Sequence, residues 1–201
     1  MGGANDRKGA AMKALIFAAV LLAMASQPMH AENFQLGAPV SDFSVSDMNG
    51  RAQNYHALKG KVTVVMFFST RCPISNAFNY RRNTLYDDFK GRVNFIVVDS
   101  NSNEAIEEVK AYAKDVGFDF PVYKDVNNEV ADRFAVHTTA DAFVIDQSGT
   151  MRYRGYIEDS PNASRVTKKA LREAIEDVLD GKAVAVAETR AAGCAIRRAK
   201  Q

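Results

Sequence analysis

The sequence lacks the features that mark nucleic-acid-binding, cofactor-binding and metal-binding proteins. Its 26 basic and 24 acidic side chains leave no basic excess of the kind that a nucleic-acid partner normally requires. No glycine-rich dinucleotide loop or P-loop occurs, so we expect no organic cofactor. The histidines are isolated from spaced cysteines and carboxylates, so we predict no metal site. A copper site would require Cys72, Cys194 and His137 to converge.

Long apolar runs are also missing, apart from one near the start of the chain. That run extends from Ala14 to Ala25, follows a basic segment and precedes small residues, which predicts a secretion signal over residues 1–31 with cleavage after Ala31. It is short for a membrane span, which needs roughly 20 apolar residues. We therefore expect an exported protein with no stable membrane insertion after signal removal. The remainder has 23 basic and 23 acidic side chains.

Apolar periodicity beyond the signal predicts alternating strands and helices. The predicted elements are, in order, a hairpin around the Asn49-Gly50 turn, a buried strand over Val62–Phe68, a helix over Ser75–Phe89, a buried strand over Val93–Ser100, a helix capped by Asn103 and ending near Gly117, a short strand over Phe120–Asp125, a short helix over Asn127–Phe134, a hairpin over Ala142–Ile157 and a helix over Ala163–Leu179. This order predicts one α/β domain over residues 35–183. Residues 184–201 form a predicted tail over its surface.

Cys72, in the stretch FFSTRCPISN, follows the first buried strand and precedes a predicted helix in which Pro73 suits the first turn. Sites in open α/β sheets gather at the carboxyl ends of strands. Free N–H groups at a helix start, the adjacent Arg71, and Arg81 and Arg82 about two turns along favour a thiolate. The thiolate is the nucleophile in disulfide exchange and in peroxide attack. The alternative is an inert buried cysteine. Ser75 is either a polar residue of the first turn or a hydroxyl that stabilises the thiolate.

Cysteine is scarce, since Cys194 is the only other one in the chain. Its separation of 122 positions from Cys72 is no obstacle to pairing, because each doubling of loop length costs only about 0.6 kcal/mol. Three alternatives stay open. Cys194 resolves a redox disulfide with Cys72, forms a fixed structural disulfide, or remains free or pairs with another chain.

The segment VVMFFSTRCPIS resembles the active-site strand and turn of the thioredoxin-like redoxins, the group that contains TlpA-type oxidoreductases and AhpC/TSA peroxiredoxins. LGAPVSDFSVSDMNG resembles their N-terminal hairpin, and the region from FPVYKD to GYIED resembles their C-terminal half. The resemblance covers about residues 35–181 and is strongest to peroxiredoxin-like proteins with a Cys-Pro-x-Ser site and a C-terminal Gly-Cys. It implies a thioredoxin fold, with a central mixed sheet flanked by helices and an N-terminal β-hairpin extension. It also implies thiol chemistry at Cys72 and a bacterial periplasmic setting.

The sequence departs from these families at several site positions. Ser75 replaces the second cysteine of Cys-x-x-Cys, and Ala140 stands where thioredoxins have a cis-proline facing the active cysteine. Val65 and Ser69 occupy the positions of the peroxiredoxin Pro and Thr, and the peroxiredoxin arginine falls near Ala140. Arg133 and Arg71 are the candidates to substitute for that arginine in a peroxidase. Because these peroxiredoxin residues are missing, we favour disulfide exchange over peroxide reduction.

We therefore predict an exported thiol-disulfide oxidoreductase. Cys72 attacks a protein disulfide or oxidised thiol, and Cys194 or an external thiol resolves the mixed disulfide; Arg71, Pro73, Ser75 and Ala140 support the site. One alternative is a peroxidase of small peroxides that uses the same cysteines. The other is a thioredoxin-fold binding or chaperone-like module without disulfide exchange. The sequence specifies no oligomeric state.

Overall fold

The computed structural model describes residues 33–199, and the predicted secretion signal lies outside them. The strands are β1 Ser44–Asp47, β2 Ala52–Asn54, β3 Thr63–Phe68, β4 Asn94–Asp99, β5 Val122–Lys124, β6 Asp141–Ile145 and β7 Met151–Tyr156. The helices are α1 Tyr55–Leu58, α2 Pro73–Asn76, α3 Asn79–Phe89, α4 Ile106–Asp115, α5 Glu129–Arg133 and α6 Ala170–Leu179, with a 3₁₀ turn at Ala163–Arg165. The order of the strands and of the later helices is the one that the sequence predicts, whereas the short helix α1 was not predicted.

All seven strands form one mixed sheet in the order β2-β1-β5-β4-β3-β6-β7. The central strands β5, β4 and β3 are parallel, and β6 joins β3 in antiparallel register from Thr63 opposite Ile145 to Met66 opposite Ala142. The hairpin β1–β2 adds to the far edge through β5. The predicted mixed sheet and N-terminal hairpin are confirmed.

Strand β3 is buried on both faces because each face of the sheet carries its own apolar layer. All six of its residues are buried. Val64, Met66 and Phe68 pack on one side with residues of α3 and α6, and Val65 and Phe67 pack on the other with an aromatic group that includes Phe34, Phe43, Phe134 and Phe143. A strand enclosed in this way holds its carboxyl end in a fixed place.

Three predicted helix boundaries are wrong. The helix predicted over Ser75–Phe89 is two helices, because the N–H of Phe78 turns back to the carbonyl of Ser75 and tightens the chain between α2 and α3. Helix α4 begins after Ala105, and Asn103 does not cap it. Residues 163–165 form the 3₁₀ turn, and Thr167 bonds Asp159, so the last helix begins at Ala170.

Within residues 33–199, none of the helices combines the length and apolar character needed to cross a membrane.

Candidate active site

Cys72 and Cys194 are joined by a disulfide at the carboxyl end of β3. The strand ends at Phe68, a three-residue loop follows, and Cys72 lies directly before Pro73, the first residue of α2. The two Cα atoms are 5.9 Å apart, within the usual range for a disulfide. Of the alternatives for Cys194, the structure shows intramolecular pairing with Cys72.

Two backbone N–H groups donate hydrogen bonds to the sulfur of Cys72. The N–H of Ser75 lies 3.4 Å from it and the N–H of Cys194 lies 3.3 Å from it. The hydroxyl of Ser75 points elsewhere, since its Oγ accepts a hydrogen bond from the N–H of Ser69 at 3.2 Å. Ser75 thus supports the sulfur through its backbone N–H, and not through its hydroxyl, which was one of the two alternatives from the sequence. Both donors would stabilise negative charge on Cys72 after reduction.

Arg82 is a fully buried cation beside this site. Its guanidinium donates to the carbonyl of Ser75 at 2.8 Å, to Oγ of Ser75 at 3.2 Å and to the carbonyl of Phe67 at 3.2 Å. No carboxylate within the described residues pairs with it. Burial lowers the pKa of Arg82 to about 9, so it remains charged at neutral pH. A lone buried cation is costly unless negative charge develops nearby.

The two arginines that the sequence offered as substitutes for the peroxiredoxin arginine bind elsewhere. Arg71 is exposed and forms a bidentate pair with Glu108, with N–O distances of 2.8 and 2.6 Å. Arg133 donates to the carbonyl of Asp42 at 2.6 Å and stacks on Phe34. Neither donates a hydrogen bond to the sulfur of Cys72 or to Ser75, whereas the buried Arg82 is linked to the site through Ser75.

Residues 187–199, here called the C-terminal strap, are attached to the domain on both sides of Cys194. On the first side the strap runs along β7. The N–H of Thr189 donates to the carbonyl of Arg154 at 3.0 Å, and the N–H of Arg154 donates to Ala187 at 3.0 Å. The hydroxyl of Thr189 accepts the N–H of Tyr156 at 3.0 Å.

On the second side the strap lies across the carboxyl ends of the central strands. Oδ1 of Asn101 accepts the N–H of Arg197 at 3.0 Å, and Oδ1 of Asn128 accepts the N–H of Ala199 at 2.7 Å. The carbonyl of Cys194 accepts the N–H of Thr139 at 3.0 Å. Ile196 is 8% exposed and packs in the aromatic layer. Cys194 is therefore held between two attachments.

Gly193 is the residue that lets the strap approach the loop before β6 closely. A Cβ atom at Gly193 would lie 2.9 Å from Cβ of Thr138 and 3.3 Å from Cβ of Ala140. Ala140 is 1% exposed and has an ordinary trans peptide bond. The small side chain at position 140 and the absence of one at position 193 together leave room for the strap.

A buried acidic cluster fixes the loop that carries Cys72. Glu104 is 2% exposed, and its carboxylate accepts the hydroxyl of Ser69 at 2.5 Å and the N–H of Thr70 at 2.6 Å. Asp99, fully buried, pairs with Lys124. Burial raises the pKa of Asp99 to about 7, against the opposing charge of Lys124 and with the nearby charge of Glu104 adding to the increase.

The part of the chain that the structure describes contains no cluster of side chains that could bind a metal ion. No group of three or more His, Cys, Asp or Glu residues there is arranged to hold an ion. His56 lies beside Asp42, with 2.9 Å between its Nδ1 and Oδ1 of the carboxylate.

Residues 36–154 match the AhpC/TSA family. The chain belongs to that family. A curated relative, the thiol-disulfide oxidoreductase ResA of Bacillus cereus, is 30% identical over 120 residues, which is 59% of this chain and 68% of the relative. The crystal structure of an uncharacterized conserved protein from Geobacillus kaustophilus superposes with a TM-score of 0.77 at 26% identity, covering 84% of this chain and 94% of that one.

A more distant structure shares the fold alone. It is that of a putative thiol:disulfide interchange protein DsbE from Chlorobium tepidum, with a TM-score of 0.57 at 18% identity, covering 74% of this chain and 98% of that one. The prediction of a thioredoxin-like redoxin with a thioredoxin fold is confirmed. The matched family region ends at residue 154 and does not include Cys194.

The structure brings together some of the predicted site residues and adds others. Cys72, Pro73, Ser75, Ala140 and Cys194 lie together, whereas Arg71 faces solvent. Arg82, which the sequence places about two turns after Cys72, is the cation that reaches the site, whereas Glu104, Asn101 and Asn128 were not predicted to be parts of it. The sequence did contain one indication of Asn101 and Glu104. The polar run from Asp99 to Glu104 directly follows a buried strand, which is where site residues gather in α/β sheets.

Proposed function

We propose that the protein is a thiol-disulfide oxidoreductase that cycles between the Cys72–Cys194 disulfide and a dithiol. The observation that carries this proposal is the disulfide itself, located at the carboxyl end of the central strand of a thioredoxin fold. The enzyme class is the one predicted from the sequence. It agrees with the name of the relatives, thiol-disulfide oxidoreductase, and with the pair of cysteines in bonding contact.

Cys72 is the cysteine whose thiolate is better stabilised. The N–H groups of Ser75 and Cys194 point at its sulfur, and buried Arg82 lies one hydrogen bond further away, at Ser75. In the reduced protein the Cys72 thiolate attacks a partner disulfide, forms a mixed disulfide and releases one partner thiolate. Cys194 then attacks Cys72, releases the second partner thiolate and restores the internal disulfide. Two electrons and two protons pass to the partner.

The partners are protein thiols and disulfides, and the setting is the bacterial periplasm. Residues 1–31 have the pattern of a secretion signal, and a stable disulfide requires an oxidising compartment. Fusion of residues 1–31 to an alkaline phosphatase that is active only after export tests this location. Phosphatase activity supports export, and its absence with intact cytoplasmic fusion protein contradicts it.

Catalysed reduction of a fluorescent peptide disulfide by a thiol donor tests the activity. Wild type should accelerate the reaction, and Cys72→Ser should reduce the rate to the uncatalysed level. Cys194→Ser should accumulate a mixed disulfide at Cys72. If Cys72→Ser retains the wild-type rate, or if folded wild type gives no acceleration, the proposed activity is wrong and a binding or chaperone-like module is favoured.

Peroxide reduction remains the alternative predicted from the sequence, and stopped-flow oxidation of the reduced protein separates it from disulfide exchange. Oxidation by hydrogen peroxide no faster than that of a free thiol supports disulfide exchange. A much faster reaction supports the peroxidase.

A further inference from the structure

The two sulfur-bearing residues of the disulfide differ in their access to solvent. Cys72 is 2% exposed, whereas Cys194 is half-buried and has exposed alanines at positions 192 and 195. The rate of thiol-disulfide exchange depends on which sulfur an incoming thiolate can reach. In the oxidised protein, access therefore favours attack at Cys194.

The hydrogen bonds favour the same direction of cleavage. The N–H groups of Ser75 and Cys194 both donate to the sulfur of Cys72. No donor among the described residues forms a hydrogen bond to the sulfur of Cys194. Because the better-stabilised thiolate is the better leaving group, the bond breaks more readily when the charge develops on Cys72.

An open groove of about 740 Å³ runs beside the disulfide on the side of the strap. Ile74, two residues after Cys72, and Gly193, directly before Cys194, both line it. His137, Arg154, Glu188 and Arg190 contribute polar side chains to the same groove. The groove is therefore a place where a peptide thiol could lie close to the disulfide, bordered by α2 at Ile74 and by the strap at Gly193.

We propose that the electron donor of the oxidised protein attacks Cys194, with Cys72 as the leaving thiolate. This inference rests on the proposed redox function of the disulfide. The donor thiolate forms a bond to Sγ of Cys194, and the electron pair of the broken S–S bond moves to Cys72. A second donor thiol then attacks the donor sulfur of the mixed disulfide and releases the Cys194 thiol together with the oxidised donor.

The consequence is a division of labour between the two cysteines. Electrons enter through the strap at Cys194, and the Cys72 thiolate that this step liberates is the nucleophile for the substrate disulfide. Donor and substrate thus form their mixed disulfides on different residues. In a Cys-x-x-Cys site the two cysteines lie within one turn of the chain, whereas here they are on segments that are 122 positions apart.

Rapid trapping of the first mixed disulfide tests the inference with the oxidised full-length protein and reduced glutathione as the probe. The reaction is quenched with acid after a series of short times, free thiols are alkylated, and the modified peptides are identified by mass spectrometry. At the earliest times we expect glutathione on Cys194 and the alkyl group on Cys72, in at least tenfold excess over the reverse isomer. The ratio extrapolated to zero time excludes later transfer between the cysteines.

The possible results separate the two proposals. Glutathione predominantly on Cys72 at zero time, or an equal mixture, overturns the assignment of Cys194 while leaving the redox function intact. No adduct at either cysteine, in a protein that stays oxidised and folded, overturns the redox function and this inference together.

Discussion

Arg82 donates a hydrogen bond of 3.2 Å to Oγ of Ser75, the residue whose N–H donates to the sulfur of Cys72. The guanidinium is fully buried, and the other acceptors it reaches are backbone carbonyls and the side-chain amide of Asn79. Neutral acceptors bind its two terminal nitrogens, leave Nε without a partner and do not balance its charge. The negative charge that appears on Cys72 after reduction would provide that balance, which couples the redox state of the disulfide to the electrostatics of the core.

Replacing Arg82 by Met should therefore reduce the thiolate fraction of Cys72 at neutral pH by about tenfold, the effect of moving a nearby opposite charge away. The measurement is the ultraviolet absorbance of the thiolate as a function of pH, in a Cys194→Ser background where Cys72 is the sole thiol. Arg82→Lys retains the charge and should recover much of the thiolate fraction. The carbonyls left without a donor should also cost about 1–3 kcal/mol of stability.

Arg81→Met is the matched control, since Arg81 is adjacent in sequence but pairs with Glu158 at 2.6 Å. Its titration curve should coincide with that of the parent protein. An unchanged curve for Arg82→Met, in a folded protein, would show that Arg82 serves packing alone.

Attachment of the strap should determine how readily the disulfide forms. Ile196 is 8% exposed, and truncation of a buried isoleucine to alanine typically costs at least about 2 kcal/mol. Weaker attachment in the reduced protein lowers the effective concentration of Cys194 near Cys72. For Ile196→Ala we expect about a tenfold smaller equilibrium constant for disulfide formation in glutathione buffers, equivalent to about 30 mV.

Val186→Ala is the control for Ile196→Ala, because Val186 is an aliphatic residue of the same terminal region but is 53% exposed. Its equilibrium constant should stay within twofold of the wild-type value. Equal constants for all three proteins would mean that the disulfide forms independently of the contacts of Ile196.

Local patterns in the sequence were sufficient for the order of elements and for the position of Cys72. The apolar run in β3 is typical of a strand that is covered on both faces of a sheet. Pro73, directly after Cys72, indicates the start of a helix. Pairing with Cys194 was one of three alternatives, since sequence separation alone does not decide between them. The family resemblance then supplied the thioredoxin fold.

The surroundings of the disulfide could not be read from local patterns, because they are assembled from distant segments. Arg82 is on a helix with mostly polar residues, and it is buried because Phe67, Ser75 and Thr139 converge on it from three elements. Asn101 and Asn128 accept N–H groups from residues more than 70 positions away. Such contacts depend on tertiary structure and leave no periodic signal in the chain.

Gly193→Ala should disturb the disulfide without touching either cysteine. The added Cβ would lie 2.9 Å from Cβ of Thr138, so the strap must move away from the loop before β6. We expect the disulfide to be reduced at least several-fold more readily, as measured in the same glutathione buffers. Ala192→Ser, at the exposed preceding position, serves as the control. A wild-type equilibrium in Gly193→Ala would show that the strap accommodates the methyl group without displacing Cys194.

The stability of the protein should depend on pH through Asp99. Burial raises the pKa of Asp99 from 3.8 to about 7, so between these values the folded state keeps a proton that the unfolded state releases. Stability from this group therefore falls as the pH rises from 4 to 7, by at most about 4 kcal/mol for a shift of this size. Urea unfolding at a series of pH values should show that Asp99→Asn loses the part of this decline that Asp99 causes. A residual decline should remain from Asp125 and Asp141, whose pKa values burial also raises. Asp87→Asn, at an exposed position paired with Lys90, should retain the wild-type dependence. A constant difference in stability between wild type and Asp99→Asn from pH 4 to pH 8 would mean that Lys124 keeps Asp99 ionised throughout.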